Sequence, residues 1–93
     1  MENEWRIEGE WDWEMKSESI RYYVSSDESR HIFRVSRMAL VDYFQTEDTK
    51  QKAIELFEGN QDRLLALSVK LLEEGEHGDV INVNHDTCVR LAL

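Results

Sequence analysis

The stretch that decides the fold is EWRIEGEWDWEMK, residues 4–16, where Trp5, Ile7, Gly9, Trp11, Trp13 and Met15 alternate with Glu4, Arg6, Glu8, Glu10, Asp12, Glu14 and Lys16. Unbroken alternation at period two is the mark of extended chain with one apolar face. The opposite face carries five carboxylates, so the segment predicts tryptophans laid on a core and a strongly acidic surface turned outward. One continuous strand of this length would reach about 43 Å at about 3.3 Å per residue, longer than a domain of this size is wide. Gly9 fills an apolar slot without a side chain to pack. That predicts a bulge or bend at Gly9, a strand near residues 4–8, and a looser segment around Trp11 and Trp13.

Downstream, Ile20, Tyr22 and Val24 share one parity while Arg21 and Tyr23 share the other, in a run rich in β-branched and aromatic residues. Residues 25–29 are a polar turn, and beyond them His31, Phe33 and Val35 alternate against Arg30, Ile32 and Arg34. The two runs predict an antiparallel hairpin. At Ser36, a good N-cap, the period changes to helical, and Ala39, Leu40, Tyr43 and Phe44 predict a short helix ending near Gln45. Asp48 with Gln51 resembles a capping box for a second helix. Its stripe of Ala53, Leu56, Phe57, Leu64, Leu67 and Leu71 keeps phase through Asn60, which predicts one long helix to about Glu74, with a break at Gly59-Asn60 as the competing reading. Gly75 stands where a C-terminal cap belongs. Residues 80–83 predict a strand, and Asn84 or Asp86 caps a closing helix that carries Cys88, Val89, Leu91 and Ala92. The sum is a single α+β domain over residues 1–93. It has a small antiparallel sheet of three or four strands, helices packed on one face, and the order β-β-β-α-α-β-α.

Size and charge bound the function. Ninety-three residues with 41% apolar content suffice for one modest core. Residues 1–4 show no basic or apolar leader, and nowhere are there about 18 consecutive apolar residues. With a single cysteine, Cys88, the chain reads as cytoplasmic. The net charge of −9, from 20 acidic and 11 basic residues, favours solubility and disfavours phosphate contacts overall. Locally the balance reverses, since Arg21, Arg30, Arg34 and Arg37 are interleaved with Tyr22, Tyr23, His31 and Phe33.

The run Val35-Ser36-Arg37-Met38-Ala39-Leu40, followed by Phe57, Asn60, Arg63-Leu64, a helix ending at Gly75 and the segment from Gly78 to Asp86, has a familiar layout. It resembles the short bacterial proteins of domain of unknown function family fourteen-eighty-eight, over most of the chain from about Trp11 to Asp86. The chain departs from the family pattern at Met38, where an acidic residue is expected, and at Gly59-Asn60, inside a helix that is usually basic there. The resemblance implies a small α+β domain from a bacterial cytoplasm. It carries over no activity and no site residue.

Every candidate site has a structural reading beside it. His77, His85 and Cys88 are the only residues with metal-ligand chemistry in proximity, and His85 and Cys88 at spacing three would share a helix face. A structural zinc site needs four ligands in paired spacing, and this chain has one cysteine, so no metal and no cofactor are expected. Phosphate-binding and nucleophile-elbow motifs are absent from the sequence, and a carboxylate pair among 20 acids diagnoses nothing. No catalytic residue is assigned, and an enzyme is not expected.

Parity places Tyr22 and Phe33 in the core and leaves Arg21, Tyr23, Ile32 and Arg34 on an outer face. If helices do not cover it, that face is amphipathic, and Glu8, Glu10, Asp12 and Glu14 on the tryptophan segment offer a charge complement. The expected function is a non-catalytic interaction or regulatory module that self-associates or binds another protein. Two alternatives stand beside it: single-stranded nucleic-acid binding on the Arg/Tyr strands, and an acidic mimic that occupies a basic protein surface. No membrane partner is expected.

Overall fold

A computed structural model describes residues 4–93; the leader reading at residues 1–3 lies outside them. The alternating segment folds into β1 (Arg6–Ile7) and β2 (Asp12–Glu14), both antiparallel to β3 (Ser19–Ser25). Arg6 and Ile7 face Ser25 and Val24, while Asp12, Trp13 and Glu14 face Arg21, Ile20 and Ser19. Four residues, 8–11, therefore stand opposite only Tyr22 and Tyr23, so the edge strand carries a bulge with Gly9 inside it. A one-residue slip would send every side chain to the wrong face, whereas an excess of two preserves parity. Trp5, Ile7, Trp11 and Trp13 accordingly all pack against the core. Of the segment around Trp11 and Trp13, expected to be loose, Trp11 lies in the bulge while Asp12–Glu14 is a paired strand, because the even bulge lets the chain resume the same ladder. Met15 ends the alternation in solvent, 82% exposed.

β3 pairs antiparallel with β4 (Arg30–Ser36) from Ser19↔Ser36 to Ser25↔Arg30, the predicted hairpin. β5 (Ile81–Val83) then joins β4 in parallel. The sheet is thus mixed, where an antiparallel one was expected. Its order is β1-β3-β4-β5, with β2 beside β1 on the same edge of β3, which makes five strands on a lattice four wide. Ile20, Tyr22, Val24, Phe33, Val35, Ile81 and Val83 are buried on one face. There they meet Leu40, Ala53, Phe57, Leu64, Leu67, Leu71 and Cys88 from the helices in a single cluster. Tyr22 lies at its centre, stacked on Phe33 and tilted against Phe57 at 5.5 Å each, geometries worth about 0.5–1.5 kcal/mol per pair beyond area burial. Its hydroxyl shares a 2.8 Å bond with the buried Ser68, whose hydroxyl also bonds the Leu64 carbonyl at 2.7 Å.

The helices are α1 (Arg37–Phe44), α2 (Lys50–Gly59), α3 (Gln61–Glu73) and α4 (His85–Arg90). The Ser36 hydroxyl accepts from the Ala39 amide at 3.0 Å, as predicted, and Gln45 ends α1 in the left-handed region at φ 54°. At α2 the cap is Thr49, accepting from Lys52 N–H, and Asp48 instead pairs with Arg37. The long helix expected to reach Glu74 is two helices. At Asn60 the backbone opens to φ −127°, ψ 27°, while its side-chain amide donates to the Leu56 carbonyl at 2.8 Å. One residue is displaced and the periodicity runs on through it, so the apolar stripe could not reveal the break. Gly75, at φ 92°, closes α3 in a Schellman arrangement, with Glu76 N–H on Leu71 O and Gly75 N–H on Leu72 O. Asn84 caps α4 through Thr87 N–H. No helix among the described residues is long and apolar enough to cross a membrane.

Candidate functional site

The helices cover only the face of Tyr22 and Phe33. On the other, β3 and β4 present Arg21, Tyr23, Ile32 and Arg34, all partly exposed, with Tyr23 directly opposite Ile32 and Arg21 directly opposite Arg34. Asp12 extends this second row on one side and Asn82 of β5 on the other. The four residues singled out from parity are therefore contiguous.

Two guanidinium groups opposite one another across a ladder repel. Glu14 resolves the conflict from the neighbouring row. Its Oε1 accepts from Arg34 Nη1 at 2.7 Å, and its Oε2 lies 3.1 Å from Arg21 Nε, an ion pair without the alignment of a hydrogen bond. Ser17 adds a hydroxyl donor to Glu14 at 3.2 Å, and Arg34 Nε donates to Asn82 Oδ1 at 3.1 Å. The hydrogen bond from Arg34 outweighs partial burial and holds the Glu14 carboxyl below the usual carboxylate range. At the other end of the face Arg30 lies over the Tyr23 ring, 4.2 Å from its centroid. It also grips Glu8 with two bonds of 2.9 and 3.1 Å. That bidentate contact lowers the Glu8 pKa and raises that of Arg30. The Tyr23 hydroxyl donates to Asp12 at 3.3 Å.

The carboxylates and arginines that the sequence placed on two complementary surfaces thus lie on one. Of the four acids singled out on the tryptophan segment, Glu8, Asp12 and Glu14 are bonded to β3 and β4, and Glu10, in the bulge, is close enough to act electrostatically on Arg30. Arg30 and Asn82 belong to the face and were not singled out. The parity of Arg30 with Ile32 and Arg34 was the available signal, whereas nothing local in the sequence announced Asn82. Arg37, the remaining clustered arginine, sits off the face. It ties the β2–β3 turn to the α1–α2 loop through Glu18 at 3.2 Å and through Asp48, and its own amide donates to Glu18 O.

His85 and Cys88 do not share an environment. Cys88 is fully buried, and burial pushes its thiol up to about 11. His85 is exposed at the first turn of α4, and His77 lies in an exposed loop. Among the described residues no group of three or more His, Cys, Asp or Glu side chains is placed to hold a metal ion.

No family model matches the chain, and no curated protein matches it. Its structure is similar to the crystal structure of a protein of unknown function from the DUF1488 family of Shewanella loihica PV-4. That likeness has a TM-score of 0.75 at 15% sequence identity, and covers 90% of this chain and 96% of the other. At that identity the likeness speaks for the fold, and the fold is that of the family which residues 35–40 resemble.

Proposed function

We propose that this chain is a bacterial, cytoplasmic member of the DUF1488 family that acts by binding, and that the helix-free face of its sheet is where a protein partner docks. The observation that carries the reading is the preorganised face itself. Tyr23 and Ile32 sit side by side at its centre, and the surrounding arginines are each engaged by Glu8, Glu14 or Asn82. Tyrosine and arginine are the types that protein interfaces favour, and side chains already ordered lose less freedom on binding. The nucleic-acid alternative draws less support, because Arg21, Arg30 and Arg34 are each paired with a carboxylate of the same chain. Phosphates would have to displace those acids on a molecule of net charge −9. The acidic-mimic alternative weakens for the matching reason. The test is affinity capture from the native lysate with and without nuclease, using the wild type and a Tyr23→Asp/Ile32→Asp variant. Nuclease-resistant capture lost in the variant supports the reading, and capture that survives in the variant refutes the face.

A further inference from the structure

We infer that the partner is a second copy of this chain, docked face to face through the sheet, in an association that strengthens as salt is added. The inference rests on the reading of the face as a docking surface. Four arginines, Arg6, Arg21, Arg30 and Arg34, lie on the outward parity of β1, β3 and β4. Against them stand five acids, Glu4, Glu8, Asp12 and Glu14 of the same parity and Glu10 of the bulge. These charges nearly cancel, leaving −1 on the face and −8 of the net −9 on the rest of the molecule, where 15 acids face seven bases.

That distribution selects among partners. A basic protein is drawn to the acidic remainder and gains little at a nearly neutral face. An acidic protein or a nucleic acid is repelled by the remainder and finds these arginines occupied. A second copy, repelled everywhere else, meets this surface with little local repulsion, and Tyr23 and Ile32 supply the apolar contact.

The extent of the face fixes the strength. Three strand widths at about 4.8 Å over seven residues at about 3.3 Å, with the three residues of β5 beside them, give a patch of roughly 380 Å². That is about half of the ~800 Å² per partner found in standard interfaces, which places the dimer among weak, concentration-dependent associations. The two bodies of charge −9 still repel at long range. The screening length shortens from about 30 Å at 0.01 M salt to about 8 Å at 0.15 M, so added salt relieves the repulsion and leaves the nearly neutral contact intact.

The experiment is sedimentation analysis of the intact chain from about 10 to about 500 µM, at about 0.01 M and about 0.15 M salt. The expected result is a monomer–dimer equilibrium whose dissociation constant falls roughly tenfold or more at the higher salt, with the Tyr23→Asp/Ile32→Asp variant a folded 11.1 kDa monomer throughout. Should that variant fail to fold, amide shift changes on diluting the wild type carry the test, and they must centre on Arg21, Tyr23, Ile32 and Arg34. A wild type monomeric under all conditions, a dimer that weakens with salt, or dilution shifts confined to α2 and α3 would overturn the inference. A monomer that captures a different protein through Tyr23 and Ile32 sinks the second copy and leaves the docking face standing, while a monomer that captures nothing through them sinks both.

Discussion

Replacing Glu14 by Gln removes one charge and little volume, and its cost follows from the geometry. Glu14 takes a charge-assisted bond of 2.7 Å from Arg34 and an ion-pair contact of 3.1 Å from Arg21, with its own side chain 21% exposed and those of its partners 30% and 38%. Hydrogen bonds to charged groups contribute about 1.5–3 kcal/mol when well buried, and exposed ion pairs about 0.2–1. At this intermediate exposure, with solvent screening discounted, the two contacts together come to about 1–2 kcal/mol, part of it the Arg21–Arg34 repulsion left uncompensated. For a domain of this length that is a fall in Tm of roughly 4–12 °C. The pH dependence supplies an internal control. The folded-state pKa of Glu14 lies below its ordinary value of 4.5. Its contribution is therefore fully present above 4.5 and is lost as pH falls through the depressed folded value. A protonated Glu and a Gln are close isosteres, so urea unfolding followed by circular dichroism should show the two proteins about 1–2 kcal/mol apart at neutral pH and converging once the wild-type carboxyl is protonated. A difference below about 0.3 kcal/mol at neutral pH, or one that persists undiminished in acid, would refute the assignment of Glu14 as the group that reconciles the two arginines.

Other parts of the molecule give further expectations. Gly59→Ala should stabilise by about 0.5–1 kcal/mol in the same unfolding assay, since an added Cβ meets nothing within 4 Å and the position is helical. Ser68→Ala should cost more than Tyr22→Phe, because it leaves the buried tyrosine hydroxyl without its partner, whereas the Ser68 hydroxyl keeps the Leu64 carbonyl when Tyr22 loses its oxygen. Equal losses in denaturant midpoints would contradict that ordering. Cys88, buried and with its pKa pushed up to about 11, should resist an aromatic disulfide reagent at mildly alkaline pH and react fully once denaturant is added. Prompt labelling of the native protein would show that the thiol is reached by local opening.

What the sequence could reveal tracks what is encoded locally. Alternation placed Trp5, Trp11 and Trp13 on the core side and assigned Tyr22 and Tyr23 to opposite faces, because a strand has only two faces. Ser36 marked the start of α1, because its hydroxyl serves an amide three residues away. The direction of β5 depends on a long crossover through three helices, and residues 81–83 look the same in either orientation. Asn60 broke the helix without disturbing its stripe. Asp48 and Thr49 were both chemically able to cap α2, and Arg37, remote in sequence, took the aspartate. The candidate face was legible as a set of outward residues and illegible as an electrostatic unit. The contact of Glu14 with Arg34 spans 20 residues and depends on a bulge whose length no local pattern specifies.

The most direct measurement on the docking face is in-cell photo-cross-linking with benzoylphenylalanine in place of Tyr23, run beside the same replacement at the exposed Glu55 of α2. Protein adducts from position 23 and none from position 55 are the predicted result, with a species of twice 11.1 kDa where the captured molecule is a second copy. Adducts from position 55 alone, or none from position 23, would contradict the assignment of the sheet face as the surface through which this protein acts.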